Sequence, residues 1–209
     1  MKNKYVDFIS DEHLLNCIAN LHKAYLKAKN NITKKNFYSN KVDTIKLTFD
    51  AQFNDINQES LIQAEILRQI DKSINNSIGT FHEQILGGIR GFQVGNLSGF
   101  DIKSNDGTLF AILNFESLSQ NIEEGIFEKL CNDAQFKKKA SYYYVDFSSK
   151  NDYLEKWVIG NEESSESHKR VFKTSGNKFY QLLTGNEAAL SSLQSKLPIV
   201  IGDYLKFPV

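Results

Sequence analysis

Cysteine and proline are scarce, two of each in 209 residues, and each scarcity narrows what the chain can be. Cys17 and Cys131 lie far apart and neither has a Cys-x-x-Cys partner, so neither a disulfide framework nor a zinc site is indicated. No stretch reaches the roughly 18 apolar residues of a membrane span. The opening Met1-Lys2-Asn3-Lys4-Tyr5-Val6-Asp7 lacks the apolar stretch of a signal peptide, and a cytoplasmic chain without membrane contact is expected. Excess charge is missing too, since 25 Lys+Arg against 25 Asp+Glu leave a formal net charge of zero. Bulk electrostatics then attract no polyanion, and a charged ligand has to be met by local patches. Glycines cluster between Gly87 and Gly99 but form neither a G-x-G-x-x-G nor a Walker pattern, so no nucleotide or other small-molecule cofactor is expected. His13, His22, His82 and His168 fit no H-E-x-x-H spacing and read as structural or surface residues.

What is present is hydrophobic periodicity. A 41% hydrophobic content over this length suits one domain with a sizeable core. It divides into a helical N-terminal part (1–57), a central part (58–150) and closing strands and helices (151–209). Ser10 caps a helix over about 10–30, with Asp11 and Glu12 in its first turn and Leu14, Cys17, Ile18, Leu21, Tyr25 and Ala28 at helical spacing. On that face Cys17 reads as a small core residue. Asn30 to Asn36 reads as a polar linking loop. Residues 43–53 fit two templates, because Ile45, Leu47 and Phe49 alternate as in a strand while Ile45, Phe49 and Phe53 recur at helical spacing.

From Gln58 to about Leu86 the spacing predicts the longest helix, its apolar face running Leu61, Ala64, Leu67, Ile70, Ile74, Ile78, Phe81 and Ile85, with a kink expected near Gly79. Glu83 falls near its C-terminal end, where the helix dipole offers a carboxylate nothing. Another helix is expected from Ser119 to Leu130, with Ile122, Ile126, Phe127 and Leu130 on one face and Lys137-Lys138-Lys139 just beyond. Tyr142 to Phe147, Trp157 to Ile159 and His168 to Phe172 read as strands, the last two separated by an acidic, serine-rich loop from Asn161 to Ser167. Helices around Asn177 to Leu183 and Glu187 to Leu197 close the chain.

The pivotal stretch is Gly99-Phe100-Asp101-Ile102-Lys103, a turn at Asn105-Asp106-Gly107, and then Thr108 to Glu116. Two runs rich in β-branched and aromatic residues around an Asp-Gly signal predict a β-hairpin. Alternation puts Ala111, Leu113 and Phe115 on an apolar face, expected to point into a core, and Ile112, Asn114 and Glu116 on the other, beside Asp101.

The run from Phe81-His82-Glu83-Gln84-Ile85-Leu86-Gly87 through Gly99-Phe100-Asp101-Ile102-Lys103 to Leu109-Phe110-Ala111 resembles the type II restriction endonucleases that cut GGNCC or GGWCC sites, a branch of the PD-(D/E)xK nucleases. Further similarity lies at Tyr142-Tyr143-Tyr144-Val145, at Lys178 to Gly185 and at Leu197-Pro198-Ile199-Val200-Ile201, so it covers most of the chain. The resemblance implies an α/β fold with a restriction-endonuclease-like core, a central mixed β-sheet flanked by helices and a helical N-terminal region. It also favours the helical reading of 43–53. Members continue after Phe-Ala with Glu-Ile-Lys-Asn-Lys, whereas here Ile112 stands where the metal-binding Glu is expected and Asn114 where the Lys is expected.

The implied partner is double-stranded DNA, bound by a homodimer because a near-palindromic site mirrors a two-fold protein. The implied cofactor is Mg²⁺, if the chain is active. Asp101 would supply one carboxylate, Glu83 a second from the helix end, and the Leu113 carbonyl a backbone ligand; Asn114 could orient a water, and Glu116 lies one two-residue step further on, about 7 Å away. Only Arg68, Arg90 and Arg170 are arginines, and forked donors are what guanine usually requires. Arg170 with Lys169 in the basic His168-Lys169-Arg170 cluster, and then Arg90, are the candidate DNA contacts. The first expectation is a GGNCC-type DNA-binding relative with cleavage lost or strongly weakened. Its rivals are an active Mg²⁺-dependent nuclease with Glu83, Asp101, Asn114 and Glu116 in a rearranged site, and a protein-interaction module on the same scaffold.

Overall fold

Local capping starts the first helix where the pattern expects it: the Ser10 hydroxyl accepts the His13 amide at 3.1 Å, and α1 runs Asp11–Asn30. The computed structural model of the chain describes residues 3–30, 43–95, 99–160 and 165–206. The loop expected beyond Asn30 and residues 161–164 of the acidic loop lie outside these. The ambiguous stretch is helical, α2 (Thr44–Phe53), with the Asp43 carboxylate accepting the Lys46 amide at 3.0 Å as its N-cap. The long helix α3 spans Gln58–Gly87. After it come β1 (Phe92–Val94), β2 (Ile102–Ser104), β3 (Leu109–Asn114), α4 (Gln120–Phe136), β4 (Ser141–Asp146), β5 (Leu154–Ile159), β6 (Glu166–Ser175), α5 (Gly176–Thr184) and α6 (Ala189–Lys206).

The strands form one mixed six-stranded sheet in the order β1-β2-β3-β4-β6-β5. The expected hairpin is β2 and β3, antiparallel with Ile102 opposite Ala111. Its turn is tied by Ser104, whose hydroxyl donates to Asp106 Oδ1 at 2.6 Å and accepts the Thr108 and Leu109 amides, while Gly107 takes the left-handed φ of 70° that the turn requires. Beyond β3 the pairing changes sense, since β4 runs parallel to it through the crossover helix α4, and β6 runs parallel to β4. The edge strand β1 was not expected; three residues between glycines are too short for a period to show.

Alternation then sorts the aromatic side chains. Phe110, Tyr142, Tyr144 and Val171 gather with Phe100 and Trp157 beneath Phe127, Leu130 and Ala134 of α4, and Ile112 packs against this cluster. On the opposite side Tyr143 stacks with Phe172 at 5.2 Å and meets Phe179 of α5 at 6.0 Å. Both faces of β3 are therefore covered. This corrects the expectation of one polar face on the hairpin, because the position of Ile112 is apolar in its surroundings as well as in its residue. On α4 the buried stripe is Phe127, Leu130 and Ala134, with Ile122 left exposed at the first turn.

The chain divides into two compact units, residues 1–17 with 82–209, and residues 18–81. In the first, Lys4 Nζ and the Tyr5 hydroxyl both reach Asp203 on α6, at 2.6 and 2.8 Å. Helix α6 continues eight residues past Pro198 instead of stopping before it. Pro198 and Gln194, whose carbonyl loses its partner, are both exposed, while Val200 and Tyr204 are buried and hold the later turns in place. In the second unit the apolar face expected on α3 is interrupted, for Leu67 is exposed and Glu65 is buried. Glu65 is satisfied by a forked pair from Arg68 at 2.7 and 2.6 Å and by Gln69 at 3.1 Å, which is how a buried acid is tolerated.

Candidate active site

Asp101 sits one residue before β2, anchored twice to the neighbouring strand. Its amide donates to the Ala111 carbonyl at 2.9 Å, and its Oδ2 accepts the Leu113 amide at 2.7 Å. The paired register ends with Ile102 opposite Ala111, so Asp101 meets β3 at the Ala111 carbonyl and the Leu113 amide, on either side of Ile112. Since the N–H and C=O of one strand residue point to the same side, the Leu113 carbonyl also faces the Asp101 side of β3. The strand's other edge is engaged by β4, where the Asn114 carbonyl accepts the Phe147 amide at 2.8 Å.

Glu83, in the last turns of α3, is the second carboxylate of this neighbourhood. Burial raises the affinity of Glu83 for its proton, and the nearby Asp101 charge raises it further. Asp101 is shifted upward as well, by burial, with the Leu113 amide opposing. Among the described residues no lysine or arginine forms an ion pair with either. His82 supplies no charge in its place. Its burial pulls its pKa down to about 4, so the ring is neutral near pH 7, stacked on Phe115 at 5.6 Å, set against Phe147 at 4.9 Å and bonded to the Tyr180 hydroxyl at 3.2 Å.

The remaining candidates are dispersed. The Asn114 side chain donates to the backbone carbonyl of Glu116, and the Glu116 side chain is exposed. Among the described residues no group of three or more His, Cys, Asp or Glu side chains is placed to share a metal. Arg90 is exposed in the turn between α3 and β1, and Lys169 is exposed on β6. Arg170 is partly buried and donates to the Ala134 carbonyl in the last turn of α4, where the helix's own carbonyls lack partners. A residue the sequence reading passed over is Asp146, in register with Asn114 on β4. It accepts the Ser148 amide and hydroxyl at 2.9 and 2.6 Å and the Tyr153 hydroxyl at 3.2 Å, and so closes the turn after β4. An Asp two residues before Ser at a strand end was the available signal.

Two carboxylates and a carbonyl form an oxygen set of the kind that takes a hard divalent cation. Comparison with known proteins agrees with the hairpin's resemblance. The profile of the family described as Eco47II restriction endonuclease matches residues 6–206. The chain is 36% identical over 219 residues to the type II restriction enzyme Sau96I of Staphylococcus aureus, covering 99% of this chain and 83% of that protein. It is 27% identical over 212 residues to the type II restriction enzyme Eco47II of Escherichia coli, covering 94% and 86% respectively. No solved structure matches. With the match spanning nearly the whole length, this chain belongs to the Eco47II restriction endonuclease family.

Proposed function

We propose that this protein binds double-stranded DNA at a GGNCC-type site as a homodimer, on a PD-(D/E)xK core whose phosphodiester cleavage is lost or strongly weakened. The observation that carries the reading is residue 112. It lies between Ala111 and Leu113, the two residues whose backbone bonds Asp101, where the resemblance calls for a metal-binding Glu, and it is a partly buried isoleucine packed against the aromatic cluster under α4. Asn114, where a lysine is called for, bonds to its own chain at Glu116 and brings no positive charge.

The residues that remain fit Mg²⁺ binding better than hydrolysis. Asp101 and Glu83 would hold the ion with the Leu113 carbonyl, and their shared reluctance to ionise is what a divalent cation relieves. Bound there, Mg²⁺ would polarise a phosphoryl oxygen and offset developing charge. Asp101 is held for this by the Leu113 amide, and neutral His82 packs beside Glu83 without donating charge to it. Losing one charge-stabilising group slows such chemistry by about a hundred- to a thousandfold, and two losses in one site leave little. Sequence reading is assigned to the exposed Lys169 and Arg90; Arg170 would have to leave Ala134 to take part. The Glu83–Asp101 pair itself favours a second reading, a slow Mg²⁺-dependent nuclease with a rearranged site.

The test is incubation of the purified chain with plasmid carrying GGNCC sites, in Mg²⁺ and separately in Mn²⁺, beside Asp101→Ala, with binding to the same DNA followed across salt concentrations. Salt-sensitive binding with intact plasmid is the expected result. Discrete fragments that vanish in the variant would establish the second reading, and salt-insensitive or absent binding would overturn both.

A further inference from the structure

Helix α2 buries none of its side chains, yet it carries an apolar stripe. Ile45, Phe49 and Phe53 recur every four residues and are 70%, 53% and 80% exposed, with the two phenyl rings 5.2 Å apart. Four-residue spacing places them along one side of the helix. Lys46 and Asp50 flank the stripe and form an ion pair with each other, so the surface has a polar margin and no unbalanced charge. A single lysine, already paired, is not a surface for DNA.

From α2 we infer that this stripe is where two copies of the chain meet, packed antiparallel across a two-fold axis at Phe49. The inference rests on the proposal that the protein binds a two-fold DNA site. The stripe is symmetric about its centre. Antiparallel packing sets Phe49 against Phe49 of the partner subunit and Ile45 against Phe53 of the partner subunit, an isologous contact needing no second kind of surface. At roughly 150–250 Å² for a buried aromatic side chain, these exposures leave on the order of 400 Å² per protomer. Doubled, that supplies most of the about 1,000 Å² at which specific interfaces begin, and the flanking polar side chains supply the rim. Aromatic and aliphatic residues at the centre with charges at the edge is the composition of an interface core. The chain's formal net charge of zero raises no repulsion between copies.

Sedimentation equilibrium of the full chain at micromolar concentration tests this without reference to cleavage. The mass of two chains is expected for the parent and for Phe49→Leu, and the mass of one chain for Phe49→Asp and Phe53→Asp, with unchanged far-ultraviolet circular dichroism. Oxidised Phe49→Cys is expected to give a covalent dimer on a non-reducing gel, whereas Leu154→Cys, on the edge strand β5, is not. A monomeric parent, folded Asp variants that remain dimeric, or crosslinking through position 154 instead of 49 would overturn the assignment. A dimer that depends on Phe49 but ignores DNA would sink the proposed function and leave this surface standing; a monomer that binds the site would do the reverse.

Discussion

If cleavage was lost at positions 112 and 114, putting the two groups back should restore it. In Ile112→Glu/Asn114→Lys the new carboxylate would stand on the residue between the two backbone groups that hold Asp101, and the new ammonium two residues on, at the place where Asn114 now folds back onto Glu116. The change is expected to weaken the fold. Ile112 is partly buried against Phe110, Tyr144 and their neighbours, so removing it and inserting a charged group should cost about 2–4 kcal/mol, part of which the introduced ammonium and Mg²⁺ offset. The kinetic gain is larger. One charge-stabilising group is worth about a hundred- to a thousandfold and two in one site are not additive, so Mg²⁺-dependent cutting should rise by at least a few hundredfold over the parent. The assay is conversion of supercoiled GGNCC plasmid to linear fragments at room temperature, where the weakened fold persists, with Asp101→Ala added on the restored background. Restored protein that is folded, binds the DNA and still fails to cut would refute the account of residue 112, as would cutting that survives Asp101→Ala.

Other consequences can be checked with the same material. Because Asp101 and Glu83 hold their protons more tightly in the folded chain, their contribution to stability is full below the ordinary carboxylate range and is lost as pH rises through the raised values. Thermal melts in chelator should therefore show Asp101→Asn gaining on the parent as pH rises out of the ordinary carboxylate range, and the opposite trend would mean that the fold stabilises the charged carboxylate. Gly176→Ala would bring a methyl within 2.4 Å of the Phe147 ring, which is stacked on Phe115, so a loss of about 1–3 kcal/mol in urea unfolding is expected; no loss would mean that the ring has room to move. Lys169→Ala should lower the slope of log affinity against log salt by about 0.9 with stability unchanged. Arg170→Ala should instead lower stability by about 1–2 kcal/mol through its bond to Ala134, and leave that slope alone.

Much of this molecule was legible where local chemistry and periodicity agree. Ser10, the Asn105-Asp106-Gly107 turn and the tyrosine-rich β4 each combine a capping or turn residue with a clear hydrophobic pattern, and each lies where the sequence puts it. The place of Asp101 beside the hairpin was readable for the same reason, since Gly99 and the strand pattern that follows mark where β2 begins. What the pattern could not reveal depends on tertiary neighbours. Ile112 has the spacing of a surface position on its strand, and only the closing of α4 over that face packs it, half-buried, against the core. Arg170 reads as part of a basic cluster, yet the carbonyl of buried Ala134 in the last turn of α4 draws its guanidinium inward. Pro198 signals a helix end by its own chemistry, but the burial of Val200 and Tyr204 outweighs one missing hydrogen bond.

The contacts of Lys4 and Tyr5 with Asp203 bear on how the protein is made. These partners are 199 and 198 residues apart in the chain. At about 5–20 residues per second, the segment around Lys4 leaves the ribosome on the order of 10–40 s before its partner exists. During that interval the unit formed by 1–17 and 82–209 cannot be completed, whereas residues 18–81 have all been synthesised before the midpoint of the same period. A chain stalled before α6 would carry α5 without the helix that packs against it, and such chains are the ones a cell's proteases and chaperones should meet most often.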